Sequence, residues 1–192
     1  MVTLTRRFLA LLLVPVVAAL LATLAPAAPA HAASTYSING VKLNASEAGL
    51  VNYINAARKK AGLRPLWVAP GTTDVARRWA RSMAGARVMK HNPNFAAQVA
   101  KSGSPKWTKI SENVGYASAC NVKQLFDAYM KSPGHRANIM DRKMRVIGIG
   151  SVDRTDRQWG CGILYNTMNF VDSYDSKLYG RNRVAPWNLI NY

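Results

Sequence analysis

The chain has 192 residues, with 26 lysines and arginines against 9 acids and a formal net charge of +17. Its 49% apolar content excludes wholesale disorder, and 9 prolines and 13 glycines exclude a collagenous or proline-rich chain. This length predicts one domain with short additional segments. Histidines and glutamates are so few that any site built from them draws on one short set: His31, His91, His135, Glu47 and Glu112.

The N-terminal segment, residues 1–32, has the pattern of a secretory signal peptide. Two arginines precede an apolar run from Phe8 to about Leu24, and small residues lead to Ala30-His31-Ala32. A membrane anchor is the weaker alternative, because the run is short for a bilayer span and is interrupted by Pro15. We therefore predict cleavage after Ala32, a secreted or extracellular protein, and no transmembrane anchor after cleavage.

The two cysteines, Cys120 and Cys161, form an even pair in an exported chain. In an oxidising compartment this predicts one disulfide. The bridge would close a loop of about 40 residues and contribute roughly 4 kcal/mol in the chain-entropy model. Two buried free thiols are the alternative, and a metal site is disfavoured because neither cysteine has a second cysteine nearby.

Residues 33–44 are interpreted as an N-terminal hairpin or linker, with its turn at Asn39-Gly40. A capping box beginning at Asn44 predicts a helix that ends at Gly62. A second helix is expected from about Thr73 to a point before Asn92-Pro93. Further helical turns are expected around residues 95–99.

The second half of the chain changes from helical spacing to alternation. A short strand is predicted at 110–114, and a helix from Asn121 to Ser132, where Pro133-Gly134 follows. Strands are then predicted at three places, 146–152, 159–165 and 168–171, with a polar turn at 153–157. This order predicts an α+β fold with an antiparallel sheet. Residues 172–192 are interpreted as a basic, aromatic C-terminal tail.

Three short segments hold the residues with the most useful chemistry: Met89-Lys90-His91, Ser111–Val114 and Ser132–Met140. Each lies at the end of a predicted element, where sites are usually built. Two neutral imidazoles and one carboxylate are enough to hold a divalent transition metal and leave one position for water. The alternative is that each histidine satisfies a turn or caps a helix.

These segments resemble the CAP superfamily, also called SCP-like extracellular proteins. The run Phe126–Met140 resembles its bacterial hallmark, and Ser111–Val114 resembles its glutamate motif. Residues 50–66, Trp79-Ala80 and Met89-Lys90-His91 resemble its first two helices. The resemblance covers about residues 45–171, which we assign as a CAP/SCP-like domain. It implies secretion and a CAP-like α-β-α sandwich with a central, mainly antiparallel sheet.

The family's cleft commonly holds two histidines and two acids. Here the resemblance implies a site for a divalent metal such as zinc on His91, Glu112 and His135. Ser132 stands where the second acid would fall, and Glu47 does not match. The same motifs supply further candidates for a ligand cleft, namely Ser111, Ser132 and Arg136.

One nearby glutamate favours a non-enzymatic binding module over a metal-assisted hydrolase of peptides or cell-wall material. A single carboxylate cannot comfortably both bind the metal and act as a base. Basic clusters predict attraction to anionic cell-envelope polymer or lipid head groups, and hence cell-wall association: Arg58–Lys60, Arg77–Arg81, Arg142–Arg145 and Arg181–Arg183. The resemblance also allows a small apolar ligand, whereas export disfavours nucleic acid.

Overall fold

The computed structural model describes residues 35–102, 107–156 and 160–172. All of them belong to the unit Ala33–Tyr192, one of the two into which the chain divides. The predicted signal peptide and all but the first residue of the predicted tail lie outside the described residues. Within the described ranges, none of the helices has the length and apolar character needed to cross a bilayer.

The order of elements is mixed, which confirms the α+β class. The helices are α1 (Ala45–Lys60), α2 (Pro70–Ala86), α3 (Phe95–Lys101), α4 (Val122–Lys131) and α5 (Pro133–Ile139). The strands are β1 (Tyr36–Ile38), β2 (Val41–Leu43), β3 (Trp67–Val68), β4 (Ile110–Ser118), β5 (Val146–Asp156) and β6 (Gly160–Val171).

A four-stranded sheet with the order β3-β5-β6-β4 forms the middle layer. The β5–β6 and β4–β6 pairs are antiparallel, while the short β3 runs parallel to β5. One face carries glycines that let α2 approach closely: a Cβ at Gly150 would come within 2.3 Å of the backbone nitrogen of Arg77. The other face packs its apolar residues against α1 and α4. The predicted α-β-α sandwich is confirmed, and β4 is an edge strand.

The predicted turn at Asn39-Gly40 and the predicted capping box at Asn44 are both present in the structure. Asn39 and Gly40 both have positive φ, at 53° and 80°, as the tight turn between β1 and β2 requires. Asn44 caps α1: its Oδ1 accepts the Glu47 N–H at 2.8 Å, and Glu47 Oε2 accepts the Asn44 N–H at 3.0 Å. These signals are local in sequence, so they fix the start of α1 directly.

Two prolines that the sequence analysis placed outside helices begin helices instead. Pro70 begins α2 three residues before the predicted start, and Pro133 begins α5 where a stop was predicted. Proline suits the first helical position, because its missing N–H would have no partner in the helix there. The predicted end of a helix at Ser132 is thus correct for α4, whereas the short helix α5 that follows was not predicted.

The prediction of two separate strands at 159–165 and 168–171 is also wrong, since β6 is continuous. Asn166 and Thr167 looked like a polar break but are fully buried. Asn166 is satisfied there, because its amide donates to Gly150 O at 3.1 Å and its Oδ1 accepts the Tyr129 hydroxyl at 2.9 Å. Strand β5 likewise continues to Asp156, into the predicted turn.

The backbone around the cysteines is compatible with the predicted disulfide. Ser118 pairs with Ile163 at the end of β4, and the Ala119 N–H donates to Gly162 O at 2.8 Å. Cys120 follows directly, so its backbone lies next to the strand that carries Cys161. The side chain of Cys161 lies outside the described residues, and the disulfide stays a prediction.

Candidate functional site

His91 and Glu112 meet at the β4 edge of the sheet. His91 follows the C-terminal end of α2, and its Nδ1 lies 2.8 Å from Glu112 Oε1. The same oxygen accepts the Asn92 N–H at 2.9 Å. The side chain of His91 is 64% exposed and that of Glu112 is 2% exposed. The pair therefore links a buried carboxylate to solvent through an imidazole.

His135 belongs to the helix on the other side of this edge, α5. Its ring is half-buried and packs edge-on against Tyr129, with ring centroids 5.2 Å apart. Asn113 holds the segment by donating to His135 O at 3.0 Å, and Asn138 donates to Asn113 Oδ1 at 2.8 Å. These hydrogen bonds from asparagine side chains tie α5 to β4.

The carboxyl group of Glu112 is poorly solvated. Burial raises its pKa above the ordinary value, and the hydrogen bonds from Asn92 and His91 oppose this effect. Its second oxygen, Oε2, is buried and has no hydrogen-bond partner in the described part of the chain. The arrangement thus leaves one acceptor oxygen open inside the site.

The charge of His91 affects the titration of His135. Burial lowers the pKa of His135, and the positive charge of protonated His91 lowers it further. Burial also raises the pKa of Tyr129 well above its ordinary value, with a contribution from the Glu112 charge. Tyr129 is therefore a neutral hydrogen-bond donor at all ordinary pH values.

We expect His135 to titrate below pH 6.5, its ordinary value, in metal-free buffer, and His91→Gln to raise its pKa only partway. Because unfolded His135 binds a proton more readily than folded His135, this residue lowers stability as pH falls through that window. NMR titration of the imidazole protons measures the pKa of His135 in the wild-type protein and in the His91→Gln variant. Lys90→Gln removes a neighbouring charge and should leave the titration unchanged; an unshifted His135 in every protein would contradict the expectation.

These donors do not form a ready-made metal site. Within the described ranges, no three His, Cys, Asp or Glu side chains are grouped so as to hold an ion. Imidazole and carboxylate suit zinc chemically, and with His91 Nδ1 bonded to Glu112 Oε1 the donor atoms left there are His91 Nε2 and Glu112 Oε2. The divalent-metal site on His91, Glu112 and His135 stays a prediction.

The three additional cleft candidates have different surroundings. Ser111 on β4 is half-buried, and its hydroxyl is buried without a hydrogen-bond partner among the described residues. Ser132 lies between α4 and α5 and its side chain makes no capping bond. Arg136 is exposed and lines a shallow pocket on α4 and α5 with Lys131 and Met140, so it faces a different part of the surface.

Sequence reasoning missed one residue beside the site. Asn169 lies directly opposite Glu112 in the β4–β6 register, is fully buried, and has no partner for either side-chain polar atom among the described residues. Only the register of two strands far apart in sequence reveals this neighbour.

The comparisons with known proteins agree with this architecture. A model of the cysteine-rich secretory protein family, CAP, matches residues 51–170. The chain belongs to the CAP family. The Bacillus subtilis protein YkwD, itself uncharacterized, is 28% identical over 131 residues, which are 66% of this chain and 51% of YkwD. The chain therefore spans about half the length of this curated relative.

Solved structures show the same fold at low identity. A cysteine-rich secretory protein from Staphylococcus aureus is 22% identical with a TM-score of 0.53, and the match covers 67% of this chain and 39% of that one. An outer surface protein from Borrelia burgdorferi is 18% identical with a TM-score of 0.57, covering 72% and 97%. The predicted family and sandwich are thus confirmed.

Proposed function

We propose that this CAP-family protein is a secreted, non-enzymatic binding module that is held at the cell envelope by anionic polymer. The predicted signal peptide supports export, as do the cysteine-rich secretory and outer-surface relatives. The observation that carries the proposal is the imbalance of surface charge. Among the described residues, Asp74 and Asp153 are exposed acids and Asp127, Asp141 and Asp172 are partly exposed, whereas exposed lysines and arginines occur throughout.

One group of these cations lies together at the C-terminal end of α1. Arg58, which the sequence analysis placed in a surface cluster, is fully buried, so that assignment is wrong. Its guanidinium instead donates to the carbonyls of Arg64, Asp141 and Met144, drawing their segments against α1. Four of the exposed cations of these segments are defined as the basic end: Lys60, Arg64, Arg142 and Lys143.

A binding role suits the site better than hydrolysis. The cleft contributes one carboxylate, Glu112, and Ser132 stands where the resemblance leads one to expect a second acid. Metal-assisted hydrolysis needs groups that bind the metal and a separate base. The Glu112 carboxylate is also already engaged with His91 and Asn92. The alternative of a metal-assisted hydrolase therefore has no support.

Retention of the mature protein, residues 33–192, on lipid-free isolated cell walls should fall steeply with salt. Attraction between exposed charges is screened over about 8 Å at physiological ionic strength and over about 3 Å at 1 M. A sedimentation assay across this range measures the bound fraction. Retention that does not change with salt would contradict electrostatic binding.

Variants then test the basic end as the contact surface. Neutralising its four cations to glutamine should weaken retention at least about ten-fold, since each cation contributes on the order of 1 kcal/mol at an anionic surface. A matched variant removes equal charge elsewhere, with glutamine at four exposed positions: Lys42, Arg78, Arg81 and Lys101. We expect a several-fold smaller loss there; equal losses would reject the basic end.

A second candidate function, binding of a divalent ion in the cleft, is favoured by the unpartnered Oε2 of Glu112. Zinc added to the metal-free protein at about pH 7.5 should bind with modest affinity, weakening below about pH 6 as the histidines protonate. Calorimetry measures this, with His135→Ala expected to remove most of the affinity and Asp153→Asn none. Absence of binding heat together with unchanged NMR shifts of His91 would reject the candidate.

A further inference from the structure

Three large hydrophobic side chains are exposed among the described residues: Val88 at 48%, Met89 at 47% and Tyr116 at 54%. All three lie around the β4 edge and the C-terminal end of α2. Tyr116 on β4 packs beside Tyr165, with ring centroids 6.3 Å apart, and Tyr165 shares an apolar cluster with Met83. The Val88 N–H donates to Met83 O at 3.2 Å.

The loop that carries Val88 and Met89 is held in place at both ends. Arg87 ends α2 in the left-handed conformation, with φ 55°, and its N–H donates to a carbonyl of the last turn. Trp79 donates its indole N–H to Lys90 O at 2.8 Å, and Lys90 Nζ lies 5.8 Å from the Trp79 ring centroid. Exposure of Val88 and Met89, which we call the apolar tip, is therefore a consequence of defined backbone contacts.

Cations flank the apolar tip on both sides. Arg87 and Lys90 are exposed, and residues 85–91 are exposed throughout without containing an acid. Glu112, which lies against the end of this segment, is buried and bonded to His91. An apolar pair between two cations matches the boundary of an anionic bilayer, where side chains enter the acyl region and cations remain at the phosphates.

We propose that the apolar tip inserts into the surface of an anionic phospholipid bilayer, with Arg87 and Lys90 at the headgroup phosphates. Tyr116 would lie at the level of the headgroups, where tyrosine is enriched. A folded protein partner fits less well, because two side chains and their flanking cations are small beside the roughly 1,200–2,000 Å² of a stable interface. This inference rests on the tip rather than the basic end, and goes beyond the proposed function.

Vesicle sedimentation of the mature protein tests the inference. Phosphatidylcholine vesicles with about 30% phosphatidylglycerol should bind it, and pure phosphatidylcholine vesicles much less, because anionic lipid attracts the flanking cations. The double variant Val88→Ser, Met89→Ser should weaken binding at least about ten-fold, since it removes the inserted apolar surface. Both positions are exposed, so circular dichroism and the unfolding midpoint should stay unchanged.

Two further measurements separate this surface from the basic end. The serine double variant should keep wild-type retention on lipid-free cell walls, and the basic-end variant should keep most of its vesicle binding. In a Met89→Trp variant, lipids brominated in their acyl chains should quench additional fluorescence relative to wild type. The inference is overturned by any of three results. These are no binding of the wild-type protein to anionic vesicles, binding of the serine double variant equal to that of wild type, or reduced binding of the basic-end variant alone.

Discussion

Arg58→Met should lower the free energy of unfolding by about 3–5 kcal/mol, because it leaves several buried carbonyl groups without their donor. The guanidinium donates to Arg64 O at 2.8 Å through Nε and to Ile139 O at 2.7 Å through Nη1. Further bonds reach Asp141 O at 3.0 Å and Met144 O at 3.3 Å. One side chain thus joins the C-terminal end of α1 to the segments before β3 and β5.

Denaturant unfolding with a fixed m-value measures this loss. Arg58→Lys should recover only part of it, since an ammonium group lacks the planar fork that reaches four carbonyls at once. Lys60→Met, which removes a charge from the exposed end of the same helix, should cost less than about 1 kcal/mol. If Arg58→Met and Lys60→Met destabilise equally, Arg58 does not hold these segments together.

Arg58 also illustrates what sequence can and cannot predict. In the sequence Arg58-Lys59-Lys60 the residue looks like part of a basic surface. Only the structure shows that Arg58 is buried and bonded to backbone carbonyls. Those partners lie up to 86 positions away in sequence. The same limit applies to β3, whose two residues are a strand only because they pair with β5. Signals that act within a few residues, such as the Asn44 capping box, were predicted correctly.

The candidate site was likewise predictable in part: its residues could be chosen from the sequence, but their surroundings could not. The rarity of histidine and glutamate pointed to His91, Glu112 and His135, and the structure brings His91 and Glu112 into direct contact. Their environment was not predictable, because it depends on tertiary packing: the burial of Glu112, the neighbouring Asn169, and the placement of Arg136 on another pocket. The charge-flanked apolar tip also needed coordinates, since the second helix was predicted to run to a point before Asn92, whereas α2 ends at Ala86.

Glu47→Gln is the second substitution with a large expected effect, a loss of about 3–4 kcal/mol of unfolding free energy. The carboxylate is buried and receives four donors: Oε1 accepts from Arg77 Nε at 2.8 Å and Ser151 N at 3.3 Å, and Oε2 accepts from Asn44 N at 3.0 Å and Arg77 Nη2 at 2.5 Å. An amide NH₂ in place of either oxygen would face donors. Arg77 also donates to Lys42 O at 2.7 Å, so the pair connects the hairpin, α1, α2 and β5.

A double-mutant cycle isolates the interaction between Glu47 and Arg77 from the other losses. With Arg77→Gln as the second change, we expect a coupling energy of about 1–3 kcal/mol, because the carboxylate is shielded from solvent. The exposed i,i+4 pair Lys123–Asp127 is the matched control, with an expected coupling of about 0.3–0.5 kcal/mol. High salt should remove the control coupling and leave most of the Glu47–Arg77 coupling, since the Glu47 carboxylate is buried and is screened much less by salt than an exposed carboxylate. A Glu47–Arg77 coupling as small and as salt-sensitive as the control would show that the carboxylate is held by its backbone donors alone.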